Sequence, residues 1–371
     1  MLIGLPVDVI GAGVAGLAVA TALAQRGAQV RAFEQAPEIA EVGAGLQISP
    51  NGAAVLAALG QGDALRAAGI VSRAVELRNA AGRTVLRLDL ARHSKGPHPF
   101  VLIHRARLIA ILERAARAAG VEIVLNARVD GAASPGLLIG ADGVHSVIRP
   151  HLNGPAEPFF TGQVAWRAVI EDAAVPEAHV YMGPGRHLVS YPLPGGLRNI
   201  VAVEERGGWA AEGWTHGDDP ANLRAAFAGF APEVRDWLER VETVHLWGLF
   251  RHPVAARWHD DRTAILGDAA HPTLPFLAQG ANMALEDAWV LAACLAERPV
   301  AEALALYQAR RRPRVLRVIA AANANARNYH LRNPLVRGLA HTALRLGGAL
   351  APGAALRRFA WLYGHDVTEA E

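Results

Sequence analysis

The strongest constraint on this chain lies in its first 34 residues. Val7 to Ile10 reads as a short buried strand, Gly11-Ala12-Gly13-Val14-Ala15-Gly16 follows, and the stretch from Val9 to Gln25 carries no charge. A buried strand, a tight turn and a helix from Leu17 to Gln25 account for this order, with Gly27 ending the helix in a left-handed cap. Gly11 permits the turn, Gly13 lets a phosphate approach the backbone, and Gly16 lets helix and strand pack closely. The helix N-terminus offers unpaired N–H groups and a partial positive charge to anions. A hydropathy window would flag the same stretch as a signal or membrane segment. Asp8, where a positive flank belongs, and the three glycines argue against that.

A second strand, Gln29 to Phe33, ends at Glu34, eighteen residues past Gly16. A carboxylate there accepts the hydroxyls of an adenosine ribose and repels a 2′-phosphate, so a Rossmann-type site of this kind takes FAD or NAD rather than NADP. Two later loops repeat the pattern of a buried strand delivering a carboxylate at its C-terminal end. They are Leu137 to Arg149, with Asp142-Gly143, and Ala264 to Pro272, with Asp268. In an open parallel sheet, ligands sit outside the carboxyl ends of the strands, so the three loops are expected to share one crevice.

Composition narrows the class further. With 371 residues the chain has room for two or three domains. The single cysteine, Cys294, excludes an intrachain disulfide and a thiolate metal site, and a reducing cytoplasm is the default. The histidines show no metal-ligand spacing, so no metal is expected. Lys95 is the sole lysine, and no acidic residue lies between Glu302 and Asp366, where eleven arginines fall; the overall charge of +3 less these leaves −8 elsewhere. Helices are expected at Ala303 to Asn328 and Pro334 to Gly347. They either pack on the acidic remainder or a homodimer partner, which is the favoured reading, or lie on an anionic membrane surface. No transmembrane segment and no nucleic-acid platform is expected.

The chain resembles the single-component, FAD-dependent aromatic monooxygenases of the p-hydroxybenzoate hydroxylase superfamily, most closely the salicylate, 3-hydroxybenzoate and 6-hydroxynicotinate hydroxylases. Besides the three loops, the resemblance rests on Gly43 to Gly52, His104 to Leu108, Thr161 to Arg167 and Trp361 to Val367. It implies an α/β fold: a Rossmann-type FAD-binding domain (1–70, 99–154 and 253–302), an inserted, mostly antiparallel substrate domain (71–98 and 155–252) and a C-terminal helical region (303–371). It also implies that NADH or NADPH, bound transiently, reduces FAD, that O2 adds at flavin C4a, and that the hydroperoxide hydroxylates a small phenolic or hydroxybenzoate-like substrate. A related monooxygenase acting on a quinone precursor, N-heterocycle or antibiotic, with a membrane-associated form included, stays open as the second reading.

The resemblance also carries residue roles. Gly11, Gly13, Ala15, Gly16, Glu34, Gln35, Gly45, Leu46, Gln47 and Val129 would line the cofactor. Asp268 would accept from the ribityl hydroxyls, Arg105 would reach the phosphates, and Asp142 would serve the pyrophosphate and the incoming nicotinamide. Gly280, Ala281 and Asn282 would open a helix whose free N–H groups face the flavin edge where negative charge collects on reduction. His187 and Tyr191, four residues apart on one predicted strand, would flank the substrate, with His187 deprotonating or orienting a phenol. Pro275 and Phe276 would lie beside the reactive face of the flavin; both are apolar where some relatives carry Gln or His.

Overall fold

The computed structural model describes residues 2–39, 45–94, 96–129, 136–208 and 216–369. Gly43 and Ala44 of the quoted motif lie outside them. The first strand spans Pro6–Ile10 and the helix after it Val14–Ala24; Gly27, at φ 95°, ends that turn as expected. Pro6–Ile10 is the centre of a parallel sheet ordered Thr263–Ile265, Leu137–Gly140, Pro6–Ile10, Gln29–Phe33, Glu122–Val124. Helices cover a sheet of this kind on its faces, and Leu137–Gly140 is accordingly buried at every position, while Asp8 in the central strand pairs with Arg31 of the next strand at 2.9 Å. Val9, Ala32, Ile139, Ala264 and Ile265 are all fully buried.

A second sheet of eight strands is antiparallel except where Glu177–Gly183 runs parallel to Ala74–Asn79. Its strands come from 74–89 and 159–251, separated in sequence by the helix Arg105–Ala118 and the strand Leu137–Gly140. Val71 belongs elsewhere: it pairs with Val101 in a three-stranded sheet with Gly45–Ile48, so the large sheet starts at Ala74.

Strand alternation gives the large sheet two different faces. Trp166, Leu188, Ile200 and Leu246 point to one side, where Leu223, Val234 and Trp237 from two short helices cover them. Ala165, Val203, Trp247 and Leu249 point to the other, against Leu274 and Phe276 of a loop and Ala322 and Ala326 of a long helix. That helix, Val300–Tyr329, also sends Tyr307, Val315 and Val318 into the core around the parallel sheet. The next helix, Pro334–Leu350, leaves Leu335, Leu339, Leu346 and Leu350 exposed. Among the described residues, no helix is long and apolar enough to cross a membrane.

Candidate active site

The loops after four adjacent parallel strands meet at one edge of the sheet. Gly11, at φ 97°, lies so close to the next loop that a Cβ there would sit 2.6 Å from the Ala141 carbonyl oxygen, and a Cβ on Gly16 would sit 1.8 Å from the Gly11 carbonyl oxygen. These two glycines are required by packing alone. Gly13 differs, since a Cβ there meets nothing within 4 Å. Glu34 ties the loop down: its carboxylate accepts from Ala12 N–H at 2.9 Å and Ala36 N–H at 3.0 Å, leaving further lone pairs for other donors. Gln35 beside it is exposed, and Ala15 is half-buried on the helix.

Asp142 accepts from Val147 N–H at 2.7 Å through one oxygen, while its other oxygen is buried with no hydrogen-bond partner among the described residues. Asp268 is exposed, yet the protein around it is dense enough that burial raises its pKa, opposed by nearby His271 and Arg105. An exposed carboxylate in such surroundings lies on the wall of a crevice. Arg105 opens the helix Arg105–Ala118, next to the pairing of His104 with Gly45. Leu46, Gln47 and Val129 are half-buried.

The segment 272–282 closes this crevice. Pro275 is exposed and Phe276 buried in a single 3₁₀ turn, and Ala278 then adopts left-handed backbone (φ 53°, ψ 38°), which costs an L-residue about 1–2 kcal/mol. The helix Gly280–Glu297 starts there without a side-chain cap. Its first helical bond is Met283 N–H to the Gln279 carbonyl, and the amides of Gly280, Ala281 and Asn282 have no acceptor among the described residues. The Asn282 side chain is engaged elsewhere, accepting from Ser49 N–H and donating to the Gln47 and Ala278 carbonyls, so only its backbone N–H is available. A Cβ on Gly280 would meet only Thr273, at 3.5 Å, so this helix start is open on its other side.

Beneath the helix lies a polar network that the sequence does not announce. Asn51 donates to Glu286 at 2.6 Å and to Gln279 at 3.1 Å, and Gln279 donates to Ser49. Arg311 lies between Glu286 and Asp287, Arg314 donates to Glu286, and His271 meets Asp287, which also accepts from Gly267 N–H. His271 therefore orders the turn around Asp268.

His187 and Tyr191 occupy one strand, Arg186–Leu193, and one face of it. They stand about 13 Å apart along that strand, with Val189 between them. Their surroundings differ. Tyr191 is buried against Gly45, where a Cβ would come within 2.7 Å of its ring, and burial raises its pKa, opposed by Arg167. His187 is buried with its ring 5.6 Å from Phe276, 5.3 Å from Tyr329 and 4.8 Å from His330. Burial and the neighbouring His330 hold its pKa well below the usual histidine range. The structure thus brings His187 to Phe276, four residues before the open amides at Gly280, and puts Tyr191 at the far end of the same face. Sequence reasoning missed His330 and Tyr329, at the end of the long helix, and Arg167, whose guanidinium lies 5.0 Å from the Trp247 ring.

Residues 5–322 match the FAD binding domain family. The chain is 40% identical to the 3-amino-4-hydroxybenzoate 2-monooxygenase of Streptomyces cremeus over 88% of each chain. It is 34% identical to the 3-hydroxybenzoate 6-hydroxylase of Polaromonas naphthalenivorans (strain CJ2) over 98% of this chain and 96% of that one. Among solved structures, Klebsiella pneumoniae HpxO complexed with FAD and uric acid superposes with a TM-score of 0.81 at 27% identity, covering 94% of this chain and 95% of that one. The family match and these relatives place the chain among the flavin-dependent monooxygenases. Within that class, the chain belongs to the FAD-binding hydroxylase family that contains these proteins.

The crevice fits FAD on its own evidence. Among the described residues, a buried carboxylate oxygen of Asp142 lacks a donor, the space beside Gly13 is clear, and three amides at the Gly280 helix start lack acceptors. A dinucleotide with a hydroxylated chain and an electron-rich ring edge supplies each missing partner.

Proposed function

We propose that this protein hydroxylates a phenolic carboxylate, 3-amino-4-hydroxybenzoate or a close analogue, using NADH or NADPH and O2. The observation that carries the reading is the single loop from Pro275 to Asn282, whose Phe276 touches the imidazole of His187 and whose end presents unpaired amides four residues later. The groups proposed to meet substrate and flavin thereby lie on one short segment.

In this reading Gly11, Gly13, Ala15, Gly16 and Arg105 hold the phosphates, Asp142 serves the pyrophosphate and the incoming nicotinamide, Glu34 and Gln35 take the adenosine ribose, and Asp268 the linking chain. Gly45, Leu46, Gln47 and Val129 wall the site. When bound, FAD supplies the redox chemistry that takes electrons from NAD(P)H and passes one oxygen atom of O2 to the ring. The amides of Gly280, Ala281 and Asn282 donate to the flavin edge that becomes negative, and the helix dipole adds to this. His187 takes the phenolic proton, which raises electron density on the ring carbon to be attacked. Burial keeps its imidazole neutral in the resting site, so a ring nitrogen has a lone pair for the phenolic hydrogen. Phe276, Trp247 and Val203 exclude water, Pro275 borders the open side, and Arg167, near Tyr191, offers a cation for the carboxylate.

NAD(P)H oxidation by the FAD-loaded protein, screened over 3-amino-4-hydroxybenzoate, 3-hydroxybenzoate, salicylate and uric acid with product detection, tests the proposal. Hydroxylated product from a phenolic carboxylate is expected. Turnover of uric acid alone would move the substrate to the N-heterocycles.

A further inference from the structure

Behind His187 a line of hydrogen bonds leads away from the flavin crevice. His187 Nδ1 lies 2.6 Å from His330 Nε2, and His330 Nδ1 lies 3.0 Å from Glu205 Oε1. Glu205 also accepts from Arg332 at 2.6 Å, and Arg332 is exposed, so the line ends at the surface. His187 and Glu205 come from neighbouring strands of the large sheet, and His330 from the loop that ends the long C-terminal helix. The groups facing the two imidazoles are Phe276 and Tyr329 beside His187, and Gln163 and Glu205 beside His330.

The carboxylate end sets the direction of every bond. Burial disfavours ionisation of Glu205, but Arg332 and His330 outweigh it and hold its carboxyl below the ordinary range, so Glu205 can only accept. His330 Nδ1 must therefore carry a hydrogen. Gln163, 3.4 Å away and uncharged, is the weaker competitor for that nitrogen. His330 Nε2 is then an acceptor, His187 Nδ1 carries the hydrogen that reaches it, and His187 Nε2 is left bare. No hydrogen-bond partner for that nitrogen exists among the described residues.

Resting on the reading of His187 as the phenol's base, we propose that His330 and Glu205 are positioning residues that fix His187 with Nε2 unprotonated and carry the phenolic proton to solvent. The phenol O–H breaks as an N–H forms on His187 Nε2. His187 Nδ1 passes its hydrogen to His330 Nε2, His330 Nδ1 passes its own to Glu205, and Glu205 releases it to water. No electrons move, and the reverse sequence returns a proton to the product. A buried imidazole without such an outlet would have to stay charged in an apolar pocket, which burial opposes.

The test is stopped-flow mixing of FAD-loaded protein with 3-amino-4-hydroxybenzoate in weak buffer containing a pH indicator, alongside affinity from flavin fluorescence. The unmodified protein should release a proton on binding. His330→Gln, which keeps a hydrogen bond but cannot relay, should slow release at least tenfold with affinity within threefold. His330→Ala should be slowed likewise and restored by added imidazole, and Glu205→Gln should slow release with His330 intact. If the His330 variants fail to take up FAD, Glu205→Gln at the rim decides alone. Unchanged release in these variants, or slowing in His330→Ala that imidazole does not relieve, overturns the relay. His187→Ala separates the two claims: if it abolishes release while the His330 and Glu205 variants do not, only the relay falls. If it releases a proton normally, the base assignment falls and takes the relay with it.

Discussion

Gly13 and Gly16 sit three residues apart in one motif and have different physical reasons to be glycine. A methyl on Gly16 runs into the Gly11 carbonyl, which is backbone and cannot give way, so Gly16→Ala should destabilise the protein itself by about 1–3 kcal/mol. A methyl on Gly13 touches nothing in the protein, so Gly13→Ala should leave thermal stability of the flavin-free protein within about 0.5 kcal/mol, as for a neutral surface change. Its effect should appear as loss of bound FAD on gel filtration. Asp142→Ala should likewise lower flavin retention, because it removes the buried oxygen that has no partner among the described residues. These positions were legible because glycine and Asp-Gly patterns act locally. Tyr191 and His187 were legible as one strand face, but not as two environments, since Gly45 packs on one and His330 on the other from distant parts of the chain.

The helices Gly280–Glu297 and Val300–Tyr329 are joined by charges taken out of water. Arg311 is 1% exposed between Glu286 and Asp287, so Arg311→Ala would leave carboxylates uncompensated and should cost about 3–5 kcal/mol, measurable by denaturant unfolding. Burial opposes ionisation of Asp287, but His271 and Arg311 bring its pKa down from 3.8 to about 2. The folded state thus holds this proton more weakly than the unfolded chain. The resulting stabilisation is complete above about pH 4 and is lost as pH falls toward 2. In Asp287→Asn, a melting-temperature profile should lose this contribution in that window and start lower at neutral pH. The arginine excess after Glu302 was visible in the sequence, and the expectation that it packs on acidic partners describes Arg311, Arg314 and Arg332. Which acids they meet was not visible, because charge pairing across 24 or 28 residues leaves no periodic signal.

At the scale of the molecule, three separate segments meet at one crevice: the parallel sheet's loops, one face of the eight-stranded sheet, and the long helix that touches both. The first was written in short motifs and the second in alternation. The helix's part was hidden, since Ala322, Ala326 and His330 look like ordinary helix-end residues until the fold sets them behind Phe276 and His187. In the proposed reading such a crevice takes a flavin and a phenol against one turn, and oxygen from O2 is predicted to enter the ring there. Product formed by the FAD-loaded protein from 3-amino-4-hydroxybenzoate and NADH or NADPH under isotopically labelled O2 should carry one labelled oxygen, with one equivalent of the nicotinamide oxidised. Product with oxygen drawn from water, or nicotinamide oxidation that yields only peroxide with every phenolic carboxylate tried, would contradict it.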